Sequence, residues 1–324
     1  MPLFLGLDTS NYTTSCALYD SASGEVFSCK ELLPVREGER GLRQSDAVFH
    51  HTRQLPDLME KLFSMAEERY EKYDKITAVA YSYAPREVPG SYMPCFLVGE
   101  NTARSISAAM GVPVFRTSHQ KGHILAALYS CEELGMLEGE REFLAFHVSG
   151  GTTDLLLCRP GGDGLFQISE IGRSSDLKAG QCIDRIGVRL GLGFPCGAEL
   201  ERLALCCDKE FKIRPSMKGL DCSFSGIENQ CVDMIERGCP PEETARYCLM
   251  SIYEAVNAMT AAALKKYGDM PVIYAGGVMA DRLIRDRLEK GYVSRFAEPA
   301  LSSDNAVGVA VYAARSFDNG SRTI

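Results

Sequence analysis

Two stretches of the chain repeat one order of apolar and polar positions. Residues 4–18 and residues 143–157 each contain an apolar run, a small polar turn and a second apolar run. A Phe-Leu pair, a serine and a Thr-Thr pair fall at the same offset in both stretches. Apolar runs around a short polar turn are typical of a β-hairpin, and two similar hairpins about 140 residues apart predict a duplicated unit. A chance match of two hairpins is the alternative.

Strand-like and helical patterns alternate along the rest of the chain. Short apolar runs predict buried strands at 76–81, 112–115 and 272–275. Helical patterns cover 95–110, 119–130, 178–192, 197–207, 226–238 and 241–267. This alternation predicts an α/β fold. Because 324 residues exceed what one hydrophobic core usually serves, we expect two lobes.

The acidic balance of the chain limits its partners. A formal net charge of −8 argues against broad, non-specific binding to nucleic acid. An RNA held by a local basic surface or by a partner subunit stays possible. Two basic clusters could form such a surface, although both are interleaved with acids and a solvated face is favoured; they are Arg36, Arg40, Arg43 and Arg53, and Arg173, Lys178, Arg185 and Arg189.

Composition also bears on the compartment. No stretch approaches the roughly 20 apolar residues that span a membrane. Residues 1–6 lack the basic leader and long apolar core of a signal peptide, so we expect a cytoplasmic location and no membrane partner. The 13 cysteines include no C-x-x-C pair, which predicts buried thiols in a reducing compartment.

Glycine-containing turns are the first candidates for chemistry. Ser149, Gly150, Gly151 and Thr152 lie between the strands of the second hairpin, where backbone N–H groups and hydroxyls can cradle a phosphate. The hydroxyl-rich turn at 9–14 would offer a second rim across a cleft. A Gly-Gly pair at 276–277 ends a strand and opens a helix, which also places donors for an anion or nucleotide. Plain tight turns are the alternative in each case.

Two histidines at helical spacing are the candidate metal site. His119 and His123 stand at i and i+4, so on a helix they share one face and can hold one metal ion. Unrelated surface histidines are the alternative. The candidate third ligand is Asp304, which could instead be the N-cap of an apolar helix at 306–314. The adjacent His50 and His51 are interpreted as surface or loop residues.

These motifs occur in the order found in one known family. The chain resembles the TsaD family, also called the Gcp or M22 glycopeptidase family, whose actin-like members make N6-threonylcarbamoyladenosine in tRNA. The resemblance runs from Gly6 to about Ala314. The family's H-x-x-x-H resembles 119–123, and its late C-T-D-N matches Asp304. Five further motifs of the family have counterparts in this chain: V-S-G-G-H-T resembles 148–153, A-G-E-A-F-D-K resembles 179–185, L-G-L-x-Y-P-G-G resembles 190–197, F-S-F-S-G-L-K resembles 222–227, and A-G-G-V-x-A-N resembles 275–281.

The resemblance implies a fold and a reaction. The fold would be the α/β actin-like ATPase (ASKHA) fold, with two duplicated lobes, 1–140 and 141–324, around a nucleotide and metal cleft. A C-terminal helix at 304–316 would pack back on the first lobe. The reaction would move a threonylcarbamoyl group from its adenylate to adenosine-37 of tRNA, releasing AMP. The implied partners are tRNA and other subunits of the threonylcarbamoyl-transfer machinery.

The resemblance also implies site residues. One divalent metal ion, iron or zinc, would be held by His119, His123 and Asp304, with open coordination positions for Lewis-acid catalysis. The adenine nucleotide or adenylate would be bound by Val148, Ser149, Gly150, Gly151, Thr152, Asp184, Gly197, Gly276, Gly277 and Asp281. Asp184 taken alone, without the resemblance, would be expected to face solvent.

Several positions depart from the family pattern. The family's opening G-I-E-T-S-C-D-E-T loses its Asp-Glu pair, since Tyr12 and Thr13 stand there. Thr152 replaces a histidine, and Asp281 replaces an asparagine and adds negative charge. These changes suggest a divergent paralogue. Two alternatives to the tRNA reaction therefore stay open: a related carbamoyltransferase acting on a small molecule, and a non-catalytic nucleotide-binding paralogue.

Overall fold

The computed structural model describes residues 2–34, 42–70, 76–162, 165–298, 301 and 305–320. The chain forms two compact units. The first comprises residues 1–138, 161–166 and 300–324, and the second comprises 139–160 and 167–299. The chain therefore leaves the first unit after residue 138, returns to it briefly at 161–166 and returns again from residue 300.

A five-stranded sheet forms the centre of the first unit. Its strands are β1 (Leu3–Thr9), β2 (Thr13–Asp20), β3 (Val26–Leu32), β4 (Ile76–Ala84) and β5 (Val114–Ser118). Their order is β3-β2-β1-β4-β5, in which β1 pairs antiparallel with β2 and parallel with β4. The helices of this unit are α1 (Gln44–Arg69), α2 (Leu97–Met110), α3 (His119–Ser130) and α9 (Ala306–Asp318).

The second unit is built around a sheet of the same order. Its strands are β6 (Phe143–Val148), β7 (Thr153–Pro160), β8 (Phe166–Arg173), β11 (Val272–Ala275) and β12 (Ser294–Phe296), in the order β12-β11-β6-β7-β8. A small hairpin joins β9 (Ser216–Lys218) and β10 (Asp221–Ser223). The helices are α4 (Ala179–Arg189), α5 (Gly197–Ala204), α6 (Ser225–Glu236), α7 (Pro241–Tyr267) and α8 (Arg282–Gly291).

The two sheets confirm the predicted duplication. Each begins with an antiparallel hairpin whose first strand pairs in parallel with a later strand. Gly6 lies opposite Ala17 in the first hairpin, and the residues at the same offset, Ala145 and Leu156, lie opposite each other in the second. Because register sets which face each side chain occupies, the shared register means that equivalent positions face equivalent sides of the two sheets.

Helix α9 is buried on nearly every side, which fits its composition of small and apolar residues. It packs very closely on β1 and α3. A Cβ at Gly6 would lie 2.3 Å from the Ala306 carbonyl oxygen, and a Cβ at Gly308 would lie 1.9 Å from the Gly122 carbonyl oxygen. Glycine at these positions lets the backbones touch, so α9 determines where α3 and its two histidines lie.

The long helix α1 was not among the predicted elements. Its interior contains Pro56, which has no amide hydrogen and usually interrupts a helix. The helix forms because one face buries Leu55, Leu58, Leu62 and Ala66 against the first sheet. The interpretation of His51 as a surface or loop residue is wrong, since it lies within α1 and is fully buried.

Two expectations from composition can be compared with the fold. The cysteines are free thiols, and all but Cys131, Cys206 and Cys239 are buried, as predicted. Over the described ranges, the helices are all too short or too polar to cross a bilayer.

Asp176 fastens the start of α6 to the segment before α4. Its Oδ1 accepts the Phe224 amide at 2.9 Å, and its Oδ2 accepts the Ser223 hydroxyl at 2.6 Å and the Ser225 amide at 3.2 Å. Burial raises the pKa of Asp176, but these hydrogen bonds outweigh it and hold the pKa well below its ordinary value.

Asp176→Ala is expected to lower the free energy of unfolding by about 1–2 kcal/mol at neutral pH, because these donors and the Ser174 hydroxyl lose a charged acceptor. A lowered folded-state pKa stabilises the protein above the unfolded value near 4, and that contribution is lost as the pH falls further. Urea denaturation at several pH values should therefore show the difference between wild type and variant shrinking in acid. Asp233→Ala, which removes an exposed carboxylate on α6, should change stability little. An equal loss in both variants would contradict the role of Asp176.

Candidate functional site

A pocket of about 330 Å³ lies within the second unit. Its size is at the lower end of the range for small-molecule sites. Four segments of the chain contribute to it: the turn after β6, helix α4, the start of α5 with the loop before it, and the segment between β11 and α8. The lining residues are Gly150, Gly180, Ile183, Asp184, Pro195, Gly197, Ala198, Glu201, Gly277, Val278, Ala280 and Asp281.

Glycines bring these segments together. A Cβ at Gly180 would lie 2.7 Å from the backbone nitrogen of Gly150, so the first turn of α4 packs directly on the turn after β6. Gly276 has φ +101°, and a Cβ there would lie 2.2 Å from the Val148 carbonyl oxygen. The Thr153 hydroxyl accepts the Ala179 amide at 3.0 Å, which satisfies a free donor at the start of α4.

Three carboxylates line the pocket, and each also receives a backbone amide. Asp184 accepts the amide of Cys196 at 2.9 Å, Glu201 that of Arg282 at 2.9 Å, and Asp281 that of Ile284 at 3.2 Å. No lysine, arginine or histidine is among the described lining residues. Burial, reinforced by the charge of Glu201, raises the pKa of Asp281 to about 7. The pocket is thus acidic, with one carboxyl that titrates near neutrality.

The structure brings half of the predicted nucleotide-binding residues to this pocket. Gly150, Asp184, Gly197, Gly277 and Asp281 line it. The other five support the surrounding backbone: Val148 ends β6, the Ser149 amide donates to the Thr152 carbonyl and closes the turn that contains Gly151, and Gly276 precedes the 3-10 turn.

The segment after β11 differs from the prediction that it runs straight into a helix. Residues Gly277–Ala280 form a short 3-10 turn, and α8 begins only at Arg282, with Asp281 as its N-cap. The free amides of α8 are therefore partly satisfied by the Asp281 carboxylate. This residue, and not the glycine pair, occupies the start of the helix.

Sequence reasoning missed Glu201 and the apolar part of the lining. Glu201 stands four residues after Gly197 on α5, so helical spacing from the matched glycine could have indicated it. Ile183, Pro195 and Val278 are ordinary apolar residues with no such signal. Phe194, next to Pro195, is 77% exposed.

The two predicted metal-binding histidines lie together in the first unit. They occupy the first two turns of α3, and their Nε2 atoms are 3.1 Å apart. Two ligands of a tetrahedral zinc ion with bonds near 2.05 Å would be about 3.3 Å apart, so the pair has the separation that one metal ion requires. Lys121, between them in sequence, instead points to Glu87, with its Nζ 2.9 Å from the carboxylate.

Asp8 is the partner of His119 that the sequence did not reveal. This carboxylate at the end of β1 is 1% exposed, and both its oxygens lie 3.1 Å from His119 Nδ1. Ser82 also donates to it. Burial raises the pKa of Asp8, but His119 and the hydrogen bonds from Ser82 and Asn305 outweigh it, and the pKa is lowered. A carboxylate on Nδ1 leaves Nε2 as the nitrogen that can bind a metal.

The proposed third ligand, Asp304, lies outside the described residues. Its neighbour Asn305 is buried, with Nδ2 2.8 Å from His119 Nδ1. Asn305, not Asp304, immediately precedes α9, which removes the alternative that Asp304 is the N-cap. Within the described ranges no three His, Cys, Asp or Glu side chains form a metal-binding group. The two imidazoles fit a metal ion, and the third ligand stays a prediction.

Neutral residues, Tyr12 and Thr13, stand in the place of the family's Asp-Glu pair, and Thr14 follows them. The Thr14 hydroxyl is buried, lies 2.7 Å from His51 Nδ1 and donates to Gln54 Oε1 at 2.6 Å. His51 Nε2 donates to the Ser10 carbonyl at 2.8 Å, and burial lowers the pKa of His51. Thr14 thus belongs to a hydrogen-bonded structural network.

The basic clusters are partly neutralised, as their interleaved acids suggested. Arg185 lies 3.1 Å from Glu228, and Arg173 lies 3.4 Å from Glu170. Arg36 and Arg40 lie outside the described residues. Exposed ion pairs such as these two contribute little to stability, which is consistent with a solvated face.

Comparison with solved structures gives the class of protein. HypF in its phosphate- and nucleotide-bound form is 12% identical, with a TM-score of 0.61 over 95% of this chain and 55% of that chain. Component A of (R)-2-hydroxyglutaryl-CoA dehydratase from Acidaminococcus fermentans is 14% identical, with a TM-score of 0.54 over 98% and 100%. At such identities the likeness establishes the fold alone, and that fold is the α/β actin-like ATPase fold expected from the sequence.

Comparison of sequences gives the family. Residues 36–311 match TsaD, tRNA N6-adenosine threonylcarbamoyltransferase. A protein of that name from Aromatoleum aromaticum is 30% identical over 320 residues, which are 94% of this chain and 89% of the relative. The chain therefore belongs to the tRNA N6-adenosine threonylcarbamoyltransferase family, a family of transferases, and the resemblance seen in the motifs is confirmed.

Proposed function

We propose that this protein transfers a threonylcarbamoyl group from its adenylate to N6 of adenosine-37 in tRNA. The N6 amine forms a bond to the carbamoyl carbon, and the bond between that carbon and the phosphate oxygen breaks. AMP leaves with the electron pair, and N6 loses a proton. Family membership indicates the chemistry, and tRNA is the acceptor named for the curated relatives.

The observation that carries this proposal is the pocket of the second unit. Five residues chosen by the family motifs, from separate parts of the sequence, lie around one cavity of about 330 Å³. In our proposal the backbones of Gly150 and Gly277 contact the adenylate phosphate, since glycine allows close approach to an anion. The carboxylate of Asp184 accepts hydrogen bonds from ribose hydroxyls.

The histidine pair would hold the metal ion. In our proposal His119, His123 and Asp304 are the ligands of iron or zinc, and a bound ion would supply Lewis-acid polarisation of the carbamoyl oxygen. Asp8 would hold the imidazole of His119 in the tautomer that exposes Nε2.

The direct test is transfer of label from threonylcarbamoyl-adenylate to purified tRNA. The full chain is assayed alone and with a cell extract that can supply partner subunits. Label in N6-threonylcarbamoyladenosine after nuclease digestion is the expected result. Label transferred to a small molecule of the extract, with none in tRNA, would favour the carbamoyltransferase alternative. The acidic pocket lining and the loss of the Asp-Glu pair at Tyr12 and Thr13 are the observations on its side.

Asp184→Ala is expected to lower transfer about ten- to hundredfold, because a charged acceptor of substrate hydroxyls is lost. Glu199→Ala is the matched control. Glu199 accepts the Gly193 amide at 3.1 Å, so both carboxylates hold the loop before α5, but only Asp184 lines the pocket. Steady-state kinetics of both variants should separate loop support from substrate binding. Similar losses in the two would argue against Asp184 as a substrate-binding residue.

A further inference from the structure

The sign of the charge in the pocket is unusual for a site that receives a phosphate. Asp184, Glu201 and Asp281 line it from three helices, α4, α5 and the start of α8, and no described lining residue is basic. Adenosine phosphates differ strongly in charge. The phosphate of an acyl adenylate carries one negative charge, whereas the triphosphate of ATP carries about four near neutral pH. The pocket therefore repels these ligands to different degrees.

Asp281 is the carboxylate whose charge state is most open to change. It is 7% exposed, with Glu201 of α5 acting on it from one side and Asp286 of its own helix from the other. The groups that stabilise its negative charge are the backbone amides of Ile284 and Leu283. Asp184 of α4 lines the same pocket. The side-chain charges with the largest effect on Asp281, those of Glu201 and Asp286, are thus acidic.

We propose that Asp281 is a specificity-determining residue that makes this pocket favour adenosine and adenylates with a singly charged phosphate over ADP and ATP. This rests on the proposed function of the pocket as the adenylate site, and it adds a reason why ATP would not compete for it. The selection is repulsive: each added phosphate charge is unfavourable beside an ionised carboxylate with low exposure.

The selection depends on pH. Burial and the charge of Glu201 raise the pKa of Asp281 to about 7, so it is mostly ionised at pH 8 and mostly neutral at pH 6. Discrimination against ATP is therefore greatest at the higher pH. Terminal phosphates also titrate near pH 6, so each measurement needs a variant without the Asp281 charge as its reference.

Asp281→Asn is that variant. Asparagine is isosteric with aspartate and an equally good N-cap, so α8 keeps its cap while the carboxylate charge is removed. Glu289→Gln is the matched control, because it removes an equal charge from an exposed position of the same helix outside the pocket lining, and Glu289 is not among the charges that shift the pKa of Asp281.

The experiment is calorimetric titration of the full chain with adenosine, the methyl ester of AMP, ADP and ATP at pH 6 and pH 8. In Asp281→Asn, ATP is expected to bind roughly tenfold more tightly than in wild type at pH 8, with adenosine almost unchanged. At pH 6, where Asp281 is mostly neutral, the difference should nearly disappear, and Glu289→Gln should resemble wild type at both pH values. If adenosine binds, but Asp281→Asn changes the affinity for all four ligands equally or for none of them, the selectivity of Asp281 is overturned. The adenylate site is not affected by that result. If adenosine and the methyl ester fail to bind in all variants, the adenylate site itself is refuted, and the inference with it.

Discussion

The double variant His119→Ala, His123→Ala is expected to lose the divalent metal that we propose for this site and at least about a hundredfold of the proposed transfer activity. The two Nε2 atoms are 3.1 Å apart on adjacent turns of α3, so removing both leaves no imidazole to hold an ion there. Metal content by mass spectrometry of the purified protein is the primary measurement, because it does not depend on knowing the acceptor.

His50→Ala provides the control for this variant. His50 lies on α1, with its ring against Phe49 at 5.4 Å, and is not part of the α3 pair. It should keep the metal content and activity of wild type. A full equivalent of metal in the double variant would show that the ion binds elsewhere and that the family's histidine motif has lost its role in this chain.

Gly308→Ala is expected to destabilise the first unit by about 3 kcal/mol or more. The added methyl carbon would lie 1.9 Å from the Gly122 carbonyl oxygen and 2.7 Å from the Ala126 amide nitrogen, so two backbones must separate. Since Gly122 stands between the two histidines, the change should also reduce metal content. Urea denaturation followed by circular dichroism would measure the loss.

Gly226→Ala is the comparison for this packing prediction. Gly226 lies in α6, and nothing lies within 4 Å of where its Cβ would be. Alanine in a helix is favoured over glycine by about 1 kcal/mol, so this variant should be neutral or slightly more stable. If Gly308→Ala were equally harmless, α9 would not determine the position of α3.

Elements with strong local patterns were predictable. The two hairpins follow from apolar runs around a polar turn, and α7 follows from proline and acids in its first turn. The helical spacing of His119 and His123 was enough to predict their meeting on α3, because i and i+4 positions share a face whatever surrounds the helix.

Features that depend on distant residues were not predictable. Helix α1 contains Pro56 and forms because the sheet covers its apolar face. The contact between Asp8 and His119 joins residues 111 positions apart, and no local sequence pattern indicates it. The interpretation of His51 as a surface or loop residue was wrong for the same reason, since its partners Ser10 and Thr14 come from the first hairpin.

The sequence by itself determined the α/β class, the duplication, the histidine pair and the family, because periodicity and motif order are properties of neighbouring residues. Only the tertiary structure decided which motif residues share a pocket, that the pocket is acidic, and that Asp281 caps α8 beside Glu201. The physical reason is that a pocket's charge and the ionisation of its groups depend on burial and on neighbours brought from separate segments by folding.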